Sequence, residues 1–482
     1  MRKGLWFLAG LVCACSPVTR DDGAFLSDGA GTDALPGTSG DDGGSNDGGD
    51  SGSDDDGGSP LKLDVGADPE GGGPMGCVGE PPGGDALLRG RVFAPNGEVP
   101  ISGALVWVQP DMPEGIPDHV YCESCIELPC DSPHGFTGPD GTFEFDLPPG
   151  PHHLVVQKGQ FMRATEITVT TGSNEATLDA TTLPSTRDEA SGRWIPNIAL
   201  GWGEYDRLED GLAKLGLAQT NGGTTMVPGT EAFDIYSNGQ GAPTVSGTFG
   251  ELLLDPEAMA KYHIIFVPCT SSPHEQLLND PQVLSNIRSW VEAGGKWYVS
   301  DWSLDFLNRP FPQYQTFHQD KFTGGPFLDE FDSTGTVLDD DLLAWLGALP
   351  PALKDINPDN PGDGGGHPTV SGLPNIELVD LWSTIKATPP VWTDDGNGGQ
   401  VDVGHKTWIE APGGGGDGAP ANHNWPMTVA GEYGCGRMMF TSYHTVEWTD
   451  AYRGLTPQEL VLAYLILEIG VCQVPYVPPP VG

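Results

Sequence analysis

Basic residues are scarce in this chain: 22 Lys and Arg stand against 67 Asp and Glu, a formal net charge of −45 over 482 residues. A surface so poor in cations cannot displace counterions from phosphates, which excludes nucleic acid as a partner, and it does not adhere electrostatically to anionic lipid. Long apolar runs are also missing. Beyond the first twelve positions no stretch approaches the roughly 18 residues a spanning helix requires, so no transmembrane segment is expected. The segment from Thr19 to about Pro74 lacks almost everything but Gly, Asp, Ser and Ala. It cannot bury enough apolar surface to offset its chain entropy and is expected to be a disordered, self-repelling linker, with a span of roughly 40 Å for a Gly-rich chain of this length. Its aspartates lack the alternating ligands and closing Glu of an EF-type loop, which excludes that form of calcium site.

What is present begins at the first residue. Met1-Arg2-Lys3 is a basic start, Leu5 to Val12 is an apolar run too short to cross a bilayer, and Val12-Cys13-Ala14-Cys15 places cysteine after small residues. This resembles a bacterial lipoprotein signal with its lipobox. The resemblance implies that residues 1–14 are removed, that Cys15 is lipidated, and that the chain is anchored to a membrane by several acyl chains. Ser16, in place of Asp, implies the outer membrane of a Gram-negative envelope. Of the nine cysteines, seven then remain in a compartment where disulfides persist, an odd number that leaves at least one thiol free. Cys269, inside the apolar run Ile264 to Cys269, is expected to be that free thiol and a buried bystander.

From residue 84 to 185 the sequence reads as short strands punctuated by turns. Leu88 to Phe93, Ala104 to Val108, Gly141 to Phe145, His153 to Gln157 and Thr165 to Thr170 alternate with Pro95-Asn96-Gly97 and Pro148-Pro149-Gly150. Such spacing predicts an all-β sandwich. Gly90-Arg91-Val92, Ile101 to Val106, the Asp140-Gly141-Thr142-Phe143 turn and Leu147-Pro148-Pro149-Gly150 resemble the carboxypeptidase regulatory-like domain, which implies a transthyretin-like fold whose superfamily carries a carbohydrate-binding label. An insertion departs from that pattern and brings Cys122, Cys125, Cys130 and His134 close in sequence, with Cys77 upstream. The spacing C-x2-C-x4-C-x3-H admits zinc. The alternative, favoured by export, is two disulfides among Cys77, Cys122, Cys125 and Cys130. Cys435 and Cys472 flank the last strand and helix and are expected to pair with each other.

From residue 190 to 474 strand and helix patterns alternate, which predicts a mostly parallel sheet covered by helices on both faces. Ile195 to Trp202, Phe233 to Tyr236, His263 to Val267, Lys296 to Ser300 and Arg437 to Tyr443 read as strands. Val283 or Leu284, Ile287 and Val291 form a helical stripe closed by Gly294-Gly295. Thr456-Pro457-Gln458-Glu459 has the capping Thr, first-turn Pro and Glu of a capping box. The interval 306–433 reads as a long insertion of loops and antiparallel additions, and residues 475–482 as a Pro-rich tail.

In open α/β sheets ligands gather beyond the carboxyl ends of the strands. Those ends here carry Asp206 and its neighbours, Thr270 to His274, Ser300, Asp301, Trp302 and Asp305, and Ser442, Tyr443, His444 and Glu447. Ile287 to Lys296 and Gly436 to His444 resemble the helix with its Gly-Gly turn and the late, histidine-ended strand of the class I glutamine amidotransferase-like fold. That likeness includes the branch typified by trehalose-utilisation proteins and implies a three-layer, flavodoxin-like α/β domain. Glutaminases of this fold keep a nucleophilic cysteine on a glycine-flanked elbow after the strand; Tyr298-Val299-Ser300-Asp301-Trp302 has neither cysteine nor glycine. The resemblance therefore implies a non-enzymatic binding module, with no cofactor, acting on an envelope protein or glycan. Three other readings stand beside it. One is a serine hydrolase with Ser300 as nucleophile, His444 as base and Glu447 orienting it. Another is a metal site of Asp301, Asp305, His444 and Glu447, and the third is carbohydrate binding, motivated by the sandwich and the thirteen tryptophans.

Overall fold

The computed structural model describes residues 84–468 except 124–125, 127, 129–131, 204, 239–240, 271–273, 319–329, 355–369, 371, 395–398, 416–418 and 447–451. Cys15, the linker, Cys77, Cys125, Cys130, Glu447, Cys472 and the tail therefore lie outside the described residues.

Two sheets come from the first hundred described residues. One has the strand order Thr142–Leu147, Ala86–Arg91, Gly172–Glu175; the other runs His134–Phe136, Leu105–Gln109, Gly150–Lys158, Phe161–Val169, Arg193–Trp194. Alternation drives their burial. Phe143, Phe145 and Leu147 point inward from a strand whose other residues are exposed, and they share one apolar cluster with Leu88, Val106, Val108, Leu154 and Val156. The opposite face of the larger sheet is covered as well, by Ile116 against Trp107, Val155, Met162 and Trp194.

The rest of the fold is built on a ten-stranded mixed sheet. Its spatial order is Gly247–Thr248, Asp234–Ser237, Ile198–Gly201, Ile264–Val267, Lys296–Ser300, Gly436–Thr441, Asn424–Tyr433, Lys406–Pro412, Phe331–Val337 and Asn375–Leu381. The first six strands run parallel, and the last four extend the sheet antiparallel from Gly436–Thr441. Fully buried strands such as Ile264–Val267 and Lys296–Ser300 are the continuous apolar runs that a sheet covered on both faces demands.

The helix Pro281–Glu292 starts where Asp280 accepts the Gln282 amide and Pro281 occupies the first turn; it buries Val283, Ile287, Trp290 and Val291. It ends at Gly294, whose φ of 118° is closed to side-chain-bearing residues. The last helix, Pro457–Glu468, carries the capping box read from the sequence: Glu459 donates its amide to Thr456 Oγ1 at 3.0 Å, and the Thr456 amide donates to Glu459 Oε2 at 2.7 Å.

The cysteine insertion does something the sequence did not indicate. Residues 116–123 run as a strap beneath the amino ends of the parallel strands. His263 Nε2 donates to Pro117 O at 3.0 Å, Asn197 Nδ2 to Asp118 O at 2.8 Å, and the Val120 amide to Ala260 O at 2.8 Å. Lys296, buried at the start of its strand, pairs with Glu123 at 2.7 Å. Cys122 is disulfide-bonded to Cys435, 313 residues away, at the turn between the last two antiparallel strands. This corrects the expected Cys435–Cys472 bridge, and it removes Cys122 from both a zinc knuckle and a bridge with Cys77, Cys125 or Cys130. The local spacing of cysteines carried no information about a partner three hundred residues away.

Candidate functional site

Register places the site. Val267 pairs with Val299 and Ser300 with Thr441, so the chain leaving each of three neighbouring parallel strands emerges at one point. Pro268-Cys269 follows the first, Asp301 the second, and Ser442 to His444 the third. One ligating atom each from Cys269, Asp301 and His444 lies within 4.8 Å of the others. The three residues are 2%, 0% and 1% exposed.

Asp301 occupies the turn that follows Lys296–Ser300, and its backbone lies in the left-handed region, with φ 44°. Aspartate tolerates this region better than the neighbouring Val299 or Trp302 would. Its Oδ1 accepts the Trp382 amide at 3.0 Å, which leaves Oδ2 facing His444 Nε2 at 3.0 Å. The two groups are ion-paired at that distance, though the angles at Asp301 Oδ2 and at the ring nitrogens of His444 fall short of an aligned hydrogen bond. Burial raises the pKa of Asp301, opposed by His444, Ser383 and the Trp382 amide. Burial also raises that of the Cys269 thiol, opposed by His444. Burial alone lowers that of His444, but Cys269 and Asp301 outweigh it and hold the imidazole well above its ordinary value.

Ser300 is fully buried and fully engaged. Its hydroxyl donates to Asp206 Oδ2 at 2.6 Å and accepts the Cys269 amide at 2.9 Å. Neither bond is to His444. Asp206 completes the frame by accepting the Thr445 amide at 2.9 Å through Oδ1. Ser300 therefore fixes the backbone of Cys269, and Asp206 that of the residue after His444. Cys269, expected to be an idle free thiol, is free and buried but belongs to the cluster; parallel-strand register, invisible in one sequence, brings it there. Asp305 is buried in the short helix Asp305–Asn308 and is not among the mutually close donors. His134 lies on a sheet strand of the first region, with Nδ1 at 2.9 Å from Ser132 O and its ring against Phe136.

The buried tryptophans are packing residues. Trp290, Trp297 and Trp345 donate their indole N–H to Tyr262 O, Phe306 O and Pro100 O. A cleft of about 730 Å³ on the first region is lined by Trp107, Pro110, Pro113, Ile126, Leu128 and Met162, among others. Trp107 is 3% exposed there, so it offers no open ring face.

No protein-family model matches the chain, and no curated protein does. Among solved structures it is similar to a ThuA-like protein from Bacteroides uniformis, at 11% identity over 57% of this chain and 92% of that one, TM-score 0.31. A cytoplasmic protein from Salmonella typhimurium LT2 is similar at 13% identity over 57% of this chain and 97% of that one, TM-score 0.28. A β-galactosidase from Bacillus circulans matches at 11% identity over 58% of this chain and 32% of that one, TM-score 0.25. Likenesses this distant say nothing about chemistry.

Proposed function

We propose that this chain is a lipid-anchored protein of the bacterial envelope, held at Cys15, acting as a non-catalytic binding or interaction module. In this reading the first two sheets form a carboxypeptidase regulatory-like, transthyretin-like sandwich, and the ten-stranded sheet belongs to an amidotransferase-like domain that has lost its chemistry. The observation that carries the proposal is closure: Cys269, Ser300, Asp301 and His444 are each at most 2% exposed, so no acyl or glycosyl group reaches them. The elbow position holds a carboxylate, which forms no thioester. The alternative hydrolase, with Ser300, His444 and Glu447, is less well supported, because the Ser300 hydroxyl already bonds Asp206 and the Cys269 amide. Carbohydrate binding lacks an exposed indole platform in the cleft beside Trp107.

The test is turnover by the full chain on glutamine, ester, peptide-anilide and glycoside substrates, with Ser300→Ala and His444→Ala alongside. All three proteins are expected to stay at the uncatalysed rate. Turnover in the native chain that either substitution abolishes, with the fold intact, overturns the proposal. Silence on a glycan array is the expected result for the carbohydrate alternative.

A further inference from the structure

The donor set of Cys269, Asp301 and His444 has no part in lipid anchoring, and the proposed binding role does not use it. We propose that these three side chains hold one divalent transition metal ion of the zinc class, with a water in the remaining position. Zinc takes thiolate, imidazole and carboxylate donors at about 2.0–2.3 Å. Three donor atoms mutually within 4.8 Å fit around a single such ion. The donor mix also discriminates. Calcium and magnesium take oxygen ligands, whereas a thiolate beside an imidazole selects zinc or its transition-metal neighbours.

Two further observations point to a ligand. Asp301 Oδ2 and His444 Nε2 are ion-paired at 3.0 Å without hydrogen-bond alignment, and His444 Nδ1 is buried with no aligned partner, although buried polar atoms are ordinarily satisfied. The residues that carry them are 0% and 1% exposed, so bulk water does not satisfy them. The supporting shell is also in place, as metal sites require. The Trp382 amide fixes Asp301 Oδ1, Ser300 Oγ fixes the Cys269 amide, and Asp206 fixes the Thr445 amide next to His444. Asp301 is held at a φ of 44°, a conformation that persists where the surroundings over-determine it. A cysteine nucleophile with His444 as base would use the same residues, but it needs an open approach to the sulfur, and Cys269 is 2% exposed. Binding is an exchange: the ion enters, the Cys269 thiol and the His444 imidazolium each give up a proton to solvent, and no redox change occurs.

The experiment uses the full chain, freed of metal by a chelator and then titrated with Co2+ or Zn2+ alone. One equivalent of Co2+ is expected to bind with a thiolate-to-cobalt charge-transfer band, and Zn2+ to displace it and raise the melting temperature. Cys269→Ser is expected to lose the band, and Asp301→Asn to weaken binding by more than the roughly 10- to 100-fold that losing an outer-shell partner costs. A native protein that shows no band and melts identically with and without Zn2+ overturns the inference, and this arm needs no variant to fold. A band that survives in Cys269→Ser also overturns it, since the ion then sits on other cysteines. Failure here is distinct from failure of the proposed function. An inert, metal-free protein refutes the site and leaves the binding role, whereas zinc-dependent turnover refutes the binding role and leaves the site.

Discussion

His263 is held neutral by its bonds as well as by burial. Its Nδ1 accepts the Asn197 amide at 2.8 Å and its Nε2 donates to Pro117 O, so a second proton would break the first bond. Burial, with Lys296, Arg187 and His119 nearby, brings its pKa down to about 4. Burial likewise lowers that of His405 to about 3. The sign follows from linkage. A histidine with a depressed folded-state pKa takes up its proton more readily when unfolded, so stability is full above the ordinary value of 6.5 and is lost as pH falls from there through about 4. For His263 the full loss is about 3 kcal/mol. In denaturant titrations from pH 7 to 4, the stability of the native chain is expected to fall more steeply than that of His263→Gln, which keeps only the part contributed by His405 and the other titrating groups. At the same scale, Ser300→Ala leaves the Asp206 carboxylate and the Cys269 amide without their shared partner. It is expected to destabilise by about 1–3 kcal/mol, as measured by thermal melting, with no change in any activity.

Elements differ in how much of them the sequence reveals. The helix Pro281–Glu292 and the Thr456 capping box were legible because their determinants lie within a few residues of one another: a stripe at helical spacing, a proline in the first turn, a glutamate three residues after the cap. The alternation of strands and helices announced the six parallel strands for the same reason, while the sheet as a whole is mixed because four antiparallel strands extend it. The triad of Cys269, Asp301 and His444 was only partly legible. Asp301 and His444 could be read as strand-end residues, but Cys269 joins them through the pairing of Val267 with Val299, a relation between segments more than thirty residues apart. The strap at residues 116–123 was not legible at all, because a loop crossing under another sheet leaves no periodic trace. Gly294 is the sharpest test of that strap: a Cβ there would stand 1.9 Å from Tyr121 O, on a backbone with φ of 118°. Gly294→Ala is expected to destabilise by about 2 kcal/mol or more, while Gly347→Ala, with nothing within 4 Å of an added Cβ, is expected to be stabilising or neutral in the same melt.

At the scale of the whole molecule, the acidic composition and the signal-like start make a claim that one labelling experiment decides. An alkyne fatty acid supplied to cells is expected to mark the native chain and to fail on Cys15→Ala; equal labelling of the two ends the lipoprotein reading. The Cys122–Cys435 bridge closes a loop of more than three hundred residues, and paired Cys122→Ser and Cys435→Ser substitutions are expected to lower stability by about 2–5 kcal/mol, read from chemical denaturation under non-reducing conditions.

That bridge also limits how the protein can be taken apart. A cut between the first two sheets and the ten-stranded sheet strands one sulfur on each fragment, exposes Lys296 without its counter-ion and uncovers the lower edge of the parallel strands. Neither fragment is then a faithful miniature of its half, and proteolysis at the junction yields pieces that stay covalently joined until a reductant is added.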